Sequence, residues 1–481
     1  MSMQEKSQTL QNIKPENVFR FFREICAIPH GSGNTKKISD YCAANAARLG
    51  LWFCQDEFKN VIIKKPASVG YEKHAPVILQ GHLDMVCEKE ADCAIDFENE
   101  GIRLLTDGDY IFADGTTLGG DDGIAVAMIM ALLEDSTAVH PTVYAIFTSD
   151  EETGMTGAAN IDLSDIQADI LINIDSEEEG VLTVSCAGGA KCHLTIPFES
   201  ELCHGNVFEI KVHGLSGGHS GVEIDKGIPN ADIVAAGLLK ALKQHCDFKL
   251  CNISGGLKDN AIPRECTVTV VTDMNHEEVI SVCADYISEL SLSLKQLPLI
   301  SVSKCIYESS FNSESTNRII EFLSDLPNGI IKMSDSIPGL VQTSLNLGIL
   351  YCKSNLLYCT ISVRSSDNNE KEALINNLKD IAHNYGGEMS VDGQYPAWEY
   401  RENSRLRECM VSVFERMFME KPIIGAIHAG LECGLLSGKI KNLDAVSFGP
   451  DILDIHTPNE RLDIKSTERM YNYLTEVLKE L

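Results

Sequence analysis

The residues able to do chemistry in this chain stand at the ends of apolar runs. Val77-Ile78-Leu79 leads through Gln80-Gly81 to His82-Leu83-Asp84, Val143 to Phe147 leads to Asp150-Glu151-Glu152, and Ile170 to Ile174 leads to Asp175. An imidazole so placed can bind a metal through one ring nitrogen. A nearby carboxylate can hold the other nitrogen and fix the ring's tautomer and direction, and His82 and Asp84 have that spacing. Asp121 lies in Leu118-Gly119-Gly120-Asp121-Asp122-Gly123, where glycines allow a tight turn and the following helix orients the carboxylate. An ordinary helix N-cap is the other reading of Asp121, because Asp is favoured there. Adjacent residues in an extended or turning segment point to different sides. One of Glu151 and Glu152 can therefore bind a metal while the other faces water; a solvated acidic turn is the alternative. Asp175 closes its strand, and Glu177-Glu178-Glu179 after it reads as a solvated run. His456 sits in a loop rich in turn residues, where a lone histidine says little by itself.

Carboxylates and imidazoles in this pattern suit hydrolysis at neutral pH, which needs an activated water and a place for developing negative charge. Two metal ions about 3.5–4 Å apart supply both. Such a site needs a bridging carboxylate, His or carboxylate ligands on each metal, and one carboxylate left free to move protons. Zinc accepts nitrogen and oxygen ligands of this kind. The H-E-x-x-H and G-x-x-x-x-G-K-[ST] signatures of other chemistries are absent from the sequence.

The elements that must position these side chains follow from the hydrophobic pattern. Val18 to Leu49 reads as helical, broken by the loop Pro29 to Asn34, and Ile124 to Leu133 reads as a helix. Short apolar strands alternate with helical segments, which predicts an α/β unit with a mixed, largely parallel sheet flanked by helices. Ligands of such sheets gather outside the carboxyl ends of the strands. The character changes after Gly188-Gly189. Val207 to Val212, Cys266 to Thr272 and Leu356 to Val363 read as strands; Ala231 to His245, Glu277 to Leu292 and Asn368 to Ala382 read as helices. The expected organisation is an α/β catalytic domain formed by 1–188 and 395–481, interrupted by a large α+β insertion over 189–394. The 481 residues suffice for this. A net charge of -30 disfavours nucleic acid and anionic membrane surfaces as partners. The 17 cysteines form no C-x-x-C pair and suit reduced thiols in a cytoplasmic protein. Met1 to Pro15 is polar and lacks a signal peptide's apolar stretch, and no apolar run reaches the roughly 18 residues of a membrane span.

Together these motifs resemble those of the co-catalytic di-zinc exopeptidases, the family of carboxypeptidases, acylases, carnosinases and aminoacyl-histidine dipeptidases, and above all its aminoacyl-histidine (Xaa-His) dipeptidase branch. The resemblance rests on segments 80–86, 117–123, 150–155 and 173–180, on Gly217-Gly218-His219-Ser220-Gly221, on His428-Ala429-Gly430-Leu431-Glu432-Cys433-Gly434, and on His456. They follow the family's order over nearly the whole chain. The resemblance implies a zinc exopeptidase-like fold and two Zn2+ per chain, with Mn2+ or Co2+ able to substitute. Asp121 would bridge the metals, His82 and Asp175 would complete one, and Glu152 and His456 the other. Asp84 would clamp His82. Glu151 would be general base to a metal-bridged hydroxide and pass the proton to the leaving amine. Relatives usually carry Asn where this chain has Asp122, and the bond after the bridging aspartate is often cis, so a cis bond is expected between Asp121 and Asp122.

The insertion resembles the family's lid, from which His219 would stabilise the oxyanion. Asn260, Arg364, His428 and Glu432 would line the substrate site, Arg364 clamping the dipeptide's carboxylate and Glu432 the free amino group; Arg364 reads equally as a strand-end surface residue. The insertion is nearly twice the roughly 110 residues of a single such unit, within the usual domain range, which predicts two α+β units side by side and a His219 serving its own chain. The implied activity is a zinc dipeptidase acting on unblocked dipeptides. A deacylase of N-acyl amino acids and an inactive metal- or peptide-binding scaffold are the alternatives. The expected partner is a small peptide, and a homodimer stays open.

Overall fold

The computed structural model describes residues 13–292 and 294–481, so most of the polar amino-terminal segment lies outside the described residues. Two compact units divide the chain: Met1–Ser185 with Tyr400–Ala426 and Leu431–Leu481, and Cys186–Glu399 with Ile427–Gly430.

The first unit is built on an eight-stranded sheet in the order Trp52–Gln55, Val61–Lys65, Val143–Thr148, Val77–His82, Ile170–Asn173, Asp444–Ser447, Val181–Cys186 and Ile423–Ile427. Its centre is parallel: Val77–His82 pairs in parallel with Val143–Thr148 and with Ile170–Asn173, which pairs in parallel with Asp444–Ser447. Outside that centre, Trp52–Gln55 on Val61–Lys65, Val61–Lys65 on Val143–Thr148 and Val181–Cys186 on Asp444–Ser447 are antiparallel. Every residue of Val77–His82 and of Val143–Thr148 is buried. That is why these strands read as unbroken apolar runs rather than alternating ones. Helix Gly120–Glu134 has no polar stripe and is buried from Gly120 to Leu133, as an all-round apolar helix must be. It packs on Val77–His82 and on the helix Glu16–Cys26. A small antiparallel sheet, Ile452–Leu453, Arg461–Asp463, Tyr110–Ala113 and Leu104–Thr106, carries the loop that contains His456.

The second unit is built on a nine-stranded antiparallel sheet in the order Leu299–Lys304, Asn206–His213, Cys266–Thr272, Phe248–Gly255, Val341–Lys353, Leu356–Ser365, Gly188–Pro197 and Glu388–Tyr395, with Gly329–Met333 also paired to Val341–Lys353. Helices Ala231–His245 and His276–Leu290 pack on its first half, and Asn368–Asn384 on its second. The halves meet through the short ladder Ser254↔Tyr351 and Gly255↔Leu350. Two α+β layers thus lie side by side and share one apolar core. Among the described residues no helix is long and apolar enough to cross a membrane.

Candidate metal centre

His82 ends its strand in register with Thr148, the last residue of Val143–Thr148. Asp175 follows Ile170–Asn173 by two residues. Parallel strands therefore deliver His82, Glu151, Glu152 and Asp175 to one edge of the sheet. Asp121 arrives separately, at the start of the buried helix, where Asp121 and Asp122 depart from helical φ/ψ and are joined by a cis peptide. His456 arrives from the loop between Ile452–Leu453 and Arg461–Asp463.

Both oxygens of one carboxylate face an imidazole. Asp121 Oδ1 stands 3.0 Å from His82 Nε2, and Asp121 Oδ2 stands 3.0 Å from His456 Nε2. Beyond them, Asp175 Oδ1 is 3.7 Å from His82 Nε2 and Glu152 Oε1 is 2.9 Å from His456 Nε2. Two triads share Asp121: His82, Asp121 and Asp175, and Asp121, Glu152 and His456, each with ligand atoms within 4.8 Å of one another. His82, Glu151 and Glu152 meet the same limit.

The charges here call for a cation. Burial pushes the carboxyls of Asp175 and Glu151 well above the usual range, and neighbouring acids push them further. Among the described residues, Asp175 Oδ2 is buried with no hydrogen-bond partner. Burial opposes charge on Asp121 and on His82 as well, yet their mutual contact and His456 hold the Asp121 carboxyl below its ordinary value. Asp121 and Asp84 in turn hold the His82 imidazole well above its own. Hydrogen bonds to Asp121 and Glu152 raise His456 to about 10. Protons on the two imidazoles stand where positive charge is needed. Divalent metals that accept nitrogen and oxygen ligands fit this donor set.

Neighbouring groups fix the ligands. His82 Nδ1 lies 3.0 Å from the main-chain oxygen of Asp84 and 3.5 Å from its Oδ1. A carbonyl only accepts, so Nδ1 carries a proton, and Nε2, which faces Asp121, is the nitrogen left to bind a metal in place of its own proton. The Asp84 carboxylate accepts from Ser32 Oγ at 2.8 Å and from the N–H groups of Glu151 and Glu152 at 2.9 and 3.3 Å. One side chain thus ties the Glu151-Glu152 turn to His82. Asp122 belongs to neither triad and accepts the His82 N–H at 3.0 Å. Gly81 makes room for this: a Cβ there would sit 2.7 Å from Asp122 Oδ2 and 2.8 Å from Ala125 Cβ. Glu432 has no exposed surface. Its Oε2 accepts from Gln80 Nε2 at 2.6 Å and from Thr148 Oγ1, so it lies beneath the strand ends.

Several of these supports escaped the sequence reading, including Ser32, Gln80, Thr148 and Glu460. The Glu460 carboxylate, 2% exposed, accepts main-chain N–H groups from Leu118 to Asp121. Its signal in the sequence is an acid four residues after His456. The run Glu177-Glu178-Glu179 differs from the solvated face expected of it. Only Glu178 is exposed. Glu179 pairs with Arg469, and burial together with Asp121 pushes the Glu177 carboxyl to about 7.

Within the second unit, His219 Nδ1 accepts the N–H groups of Gly221 and Val222, both at 3.2 Å. Its proton therefore sits on Nε2. Burial and Arg364 lower its pKa, so the ring is neutral at pH 7 with one N–H to donate. Arg364, on strand Leu356–Ser365, donates from Nη1 to the Tyr395 hydroxyl at 3.2 Å. His428 Nε2 is 2.7 Å from Ser344 Oγ, and burial, then Arg364, lowers its pKa to about 4. A Cβ on Gly221 would lie 3.0 Å from His219 Cε1, 3.2 Å from Arg364 Nε and 2.7 Å from the His428 carbonyl oxygen, so the three residues converge there. Asn260 is exposed, and its main-chain oxygen accepts the Ser220 N–H at 2.9 Å.

The sequence profile of peptidase family M20/M25/M40 matches residues 78–480. The chain is 35% identical to the cytosol non-specific dipeptidase of Escherichia coli strain K12 over 479 residues, 98% of this chain and 99% of that one. It is 32% identical to the aminoacylhistidine dipeptidase of Vibrio alginolyticus, whose crystal structure superposes with a TM-score of 0.91 over 98% of each chain. The aminopeptidase PepT of Bacillus cereus shares the fold at 17% identity, with a TM-score of 0.61 over 97% of this chain and 99% of that one.

Proposed function

The chain belongs to peptidase family M20/M25/M40, and from that premise we propose that it is a metal-dependent dipeptidase that hydrolyses unblocked dipeptides, Xaa-His among them. It is a hydrolase acting on peptide bonds. The E. coli relative is named for a lack of specificity and the Vibrio protein for aminoacyl-histidine, which supports a broad dipeptide range. The observation that carries the reading is the Asp121 carboxylate offered to His82 on one side and His456 on the other.

We assign His82, Asp121 and Asp175 to one divalent cation and Asp121, Glu152 and His456 to the other, with zinc as the metal and Mn2+ or Co2+ accepted by the same atoms. Two such ions supply Lewis acidity to the scissile carbonyl and lower the pKa of water. The chain's own residues do the rest. Glu151 takes the proton of the attacking water and delivers it to the leaving amine nitrogen. Asp84 holds Glu151 and His82 in fixed relation through its main-chain oxygen and carboxylate. His219 donates from Nε2 to the carbonyl oxygen as negative charge develops on it. Arg364, aimed by Tyr395, takes the substrate carboxylate, and Asn260 and His428 complete its surroundings. Glu432 serves from beneath, as a tie between strands. The cytosol is the proposed compartment, in keeping with 17 free thiols.

A panel of dipeptides, their N-acetyl counterparts and their C-terminal amides, assayed before and after chelation alongside metal analysis, tests the proposal. Hydrolysis of free dipeptides that vanishes with the metal and returns with zinc is expected. Preferred turnover of the N-acetyl compounds would make the protein a deacylase instead.

A further inference from the structure

We infer that Glu460 is the positioning residue that sets both metal positions at once, by gripping the main chain that carries Asp121 from the loop that carries His456. The inference rests on the metal assignment above. Oε2 of Glu460 accepts the N–H groups of Leu118 and Gly119 at 2.7 and 3.2 Å. Oε1 accepts those of Gly120 and Asp121 at 2.8 and 3.3 Å. Leu118 and Gly119 precede the helix and Asp121 departs from helical φ/ψ, so these four N–H groups lie at the helix entrance, where intrahelical partners are lacking. Turned inward together they form a concavity for an anion. Here the anion is the chain's own carboxylate, from a residue about 340 positions away.

Three features make this a setting device rather than a general brace. Asp121 belongs to both triads, so a shift of its backbone moves a ligand of each metal together. His456 and Glu460 share one short loop stiffened from within: Thr457 Oγ1 donates to the Asp454 oxygen at 2.7 Å, and the Glu460 N–H donates to the Thr457 oxygen at 3.1 Å. The distance between the two anchor points is therefore fixed by one side chain. The grip also requires a carboxylate. Glutamine of the same size would turn an NH2 group against two N–H donors and leave them unpaired in a site 2% exposed. Residues that orient metal ligands from behind typically cost 10–100-fold in metal affinity when replaced.

Cobalt titration of metal-free protein, followed by visible absorption, tests the inference in Glu460→Gln, Gly120→Ala and Asp175→Asn. Wild type should take up two Co2+ per chain. Glu460→Gln should weaken both sites at least tenfold and change the cobalt spectrum, whereas Asp175→Asn should weaken one. Far-UV circular dichroism of the metal-free variant tells whether Glu460→Gln folds. If it does not, Gly120→Ala decides: its Cβ would stand 3.1 Å from Glu460 Oε1, so it crowds the carboxylate without removing it and should weaken both sites by a smaller factor. In folded Glu460→Gln kcat should fall with KM within about threefold, since substrate contacts are untouched. A folded variant that binds two Co2+ with wild-type affinity, or that loses one site and keeps the other, overturns the inference. Failure of the wild type to bind two Co2+ would instead bring down the metal assignment and the inference with it.

Discussion

Glu151 has the most consequential position of any single residue. It is next to Glu152 in sequence, its N–H is fixed by Asp84, and burial denies its carboxylate ordinary hydration. Replacing it by alanine should lower kcat by at least about 100-fold, the lower end of what a positioned general base contributes, with two metals still bound by elemental analysis. Loss of one metal along with activity would make Glu151 a ligand, a role the His82, Glu151 and Glu152 grouping would permit. His219 calls for a different comparison. Its Nδ1 is occupied by two N–H donors, so only Nε2 can donate to a substrate. His219→Ala should cost about 100- to 1,000-fold in kcat, as removal of an oxyanion donor does, with metal content unchanged. A variant of normal kcat and raised KM would make His219 a binding residue only.

Among elements, the approach of helix Gly120–Glu134 to strand Val77–His82 decides the site. The strand brings His82 and the helix brings Asp121, and they meet at van der Waals distance because residue 81 has no side chain. Gly81→Ala would drive a methyl group into Asp122 Oδ2 and Ala125 Cβ at 2.7 and 2.8 Å. Both are held in a buried helix with little room to move. The variant should lose about 1–3 kcal/mol of stability, the usual cost of overpacking, measured by urea denaturation of metal-free protein. An unchanged midpoint would mean that helix and strand part more easily than their packing implies.

At the scale of the whole molecule, charge governs stability. The first unit gathers Asp121, Glu151, Glu152 and Asp175 at one edge, so chelation should lower the melting temperature and zinc should restore it. Metal at 100 times its dissociation constant adds about 2.7 kcal/mol to the state that binds it. A melting temperature indifferent to chelator would count against a loaded site. The second unit holds an unrelated liability. Asp232, on helix Ala231–His245, is fully buried, and the Cys266 thiol is the hydrogen-bonding group beside its carboxyl. It faces the thiols of Cys266 and Cys359, which are themselves pushed well up and stay neutral. Burial raises its carboxyl to about 7. The folded chain keeps this proton at pH values where the unfolded chain has lost it. Its contribution to stability is therefore greatest below about pH 4 and declines by up to about 1.4 kcal/mol per pH unit until about pH 7. Asp232→Asn should remove that slope in denaturation measured from pH 5 to 8; an unaltered slope would place the titration elsewhere.

What the chain declares locally could be read from it directly. Strands 77–82, 143–148 and 170–173 announce themselves as apolar runs, and the acids that close them follow within a few positions, because burial on both faces imposes one composition on consecutive residues. Periodicity likewise marks Ala231–His245 and Asn368–Asn384. Pairings across the chain were another matter. His456 meets Asp121 across 335 positions, Glu460 grips the turn before it, and Glu179 finds Arg469 across 290. Residues 427–430 join a unit that their neighbours in sequence do not. Glu432 has the composition of a ligand contact yet lies beneath the strands with no exposed surface. No local pattern carries such facts, since which faces meet, and which polar groups that meeting buries, depends on the packing of elements distant in the chain.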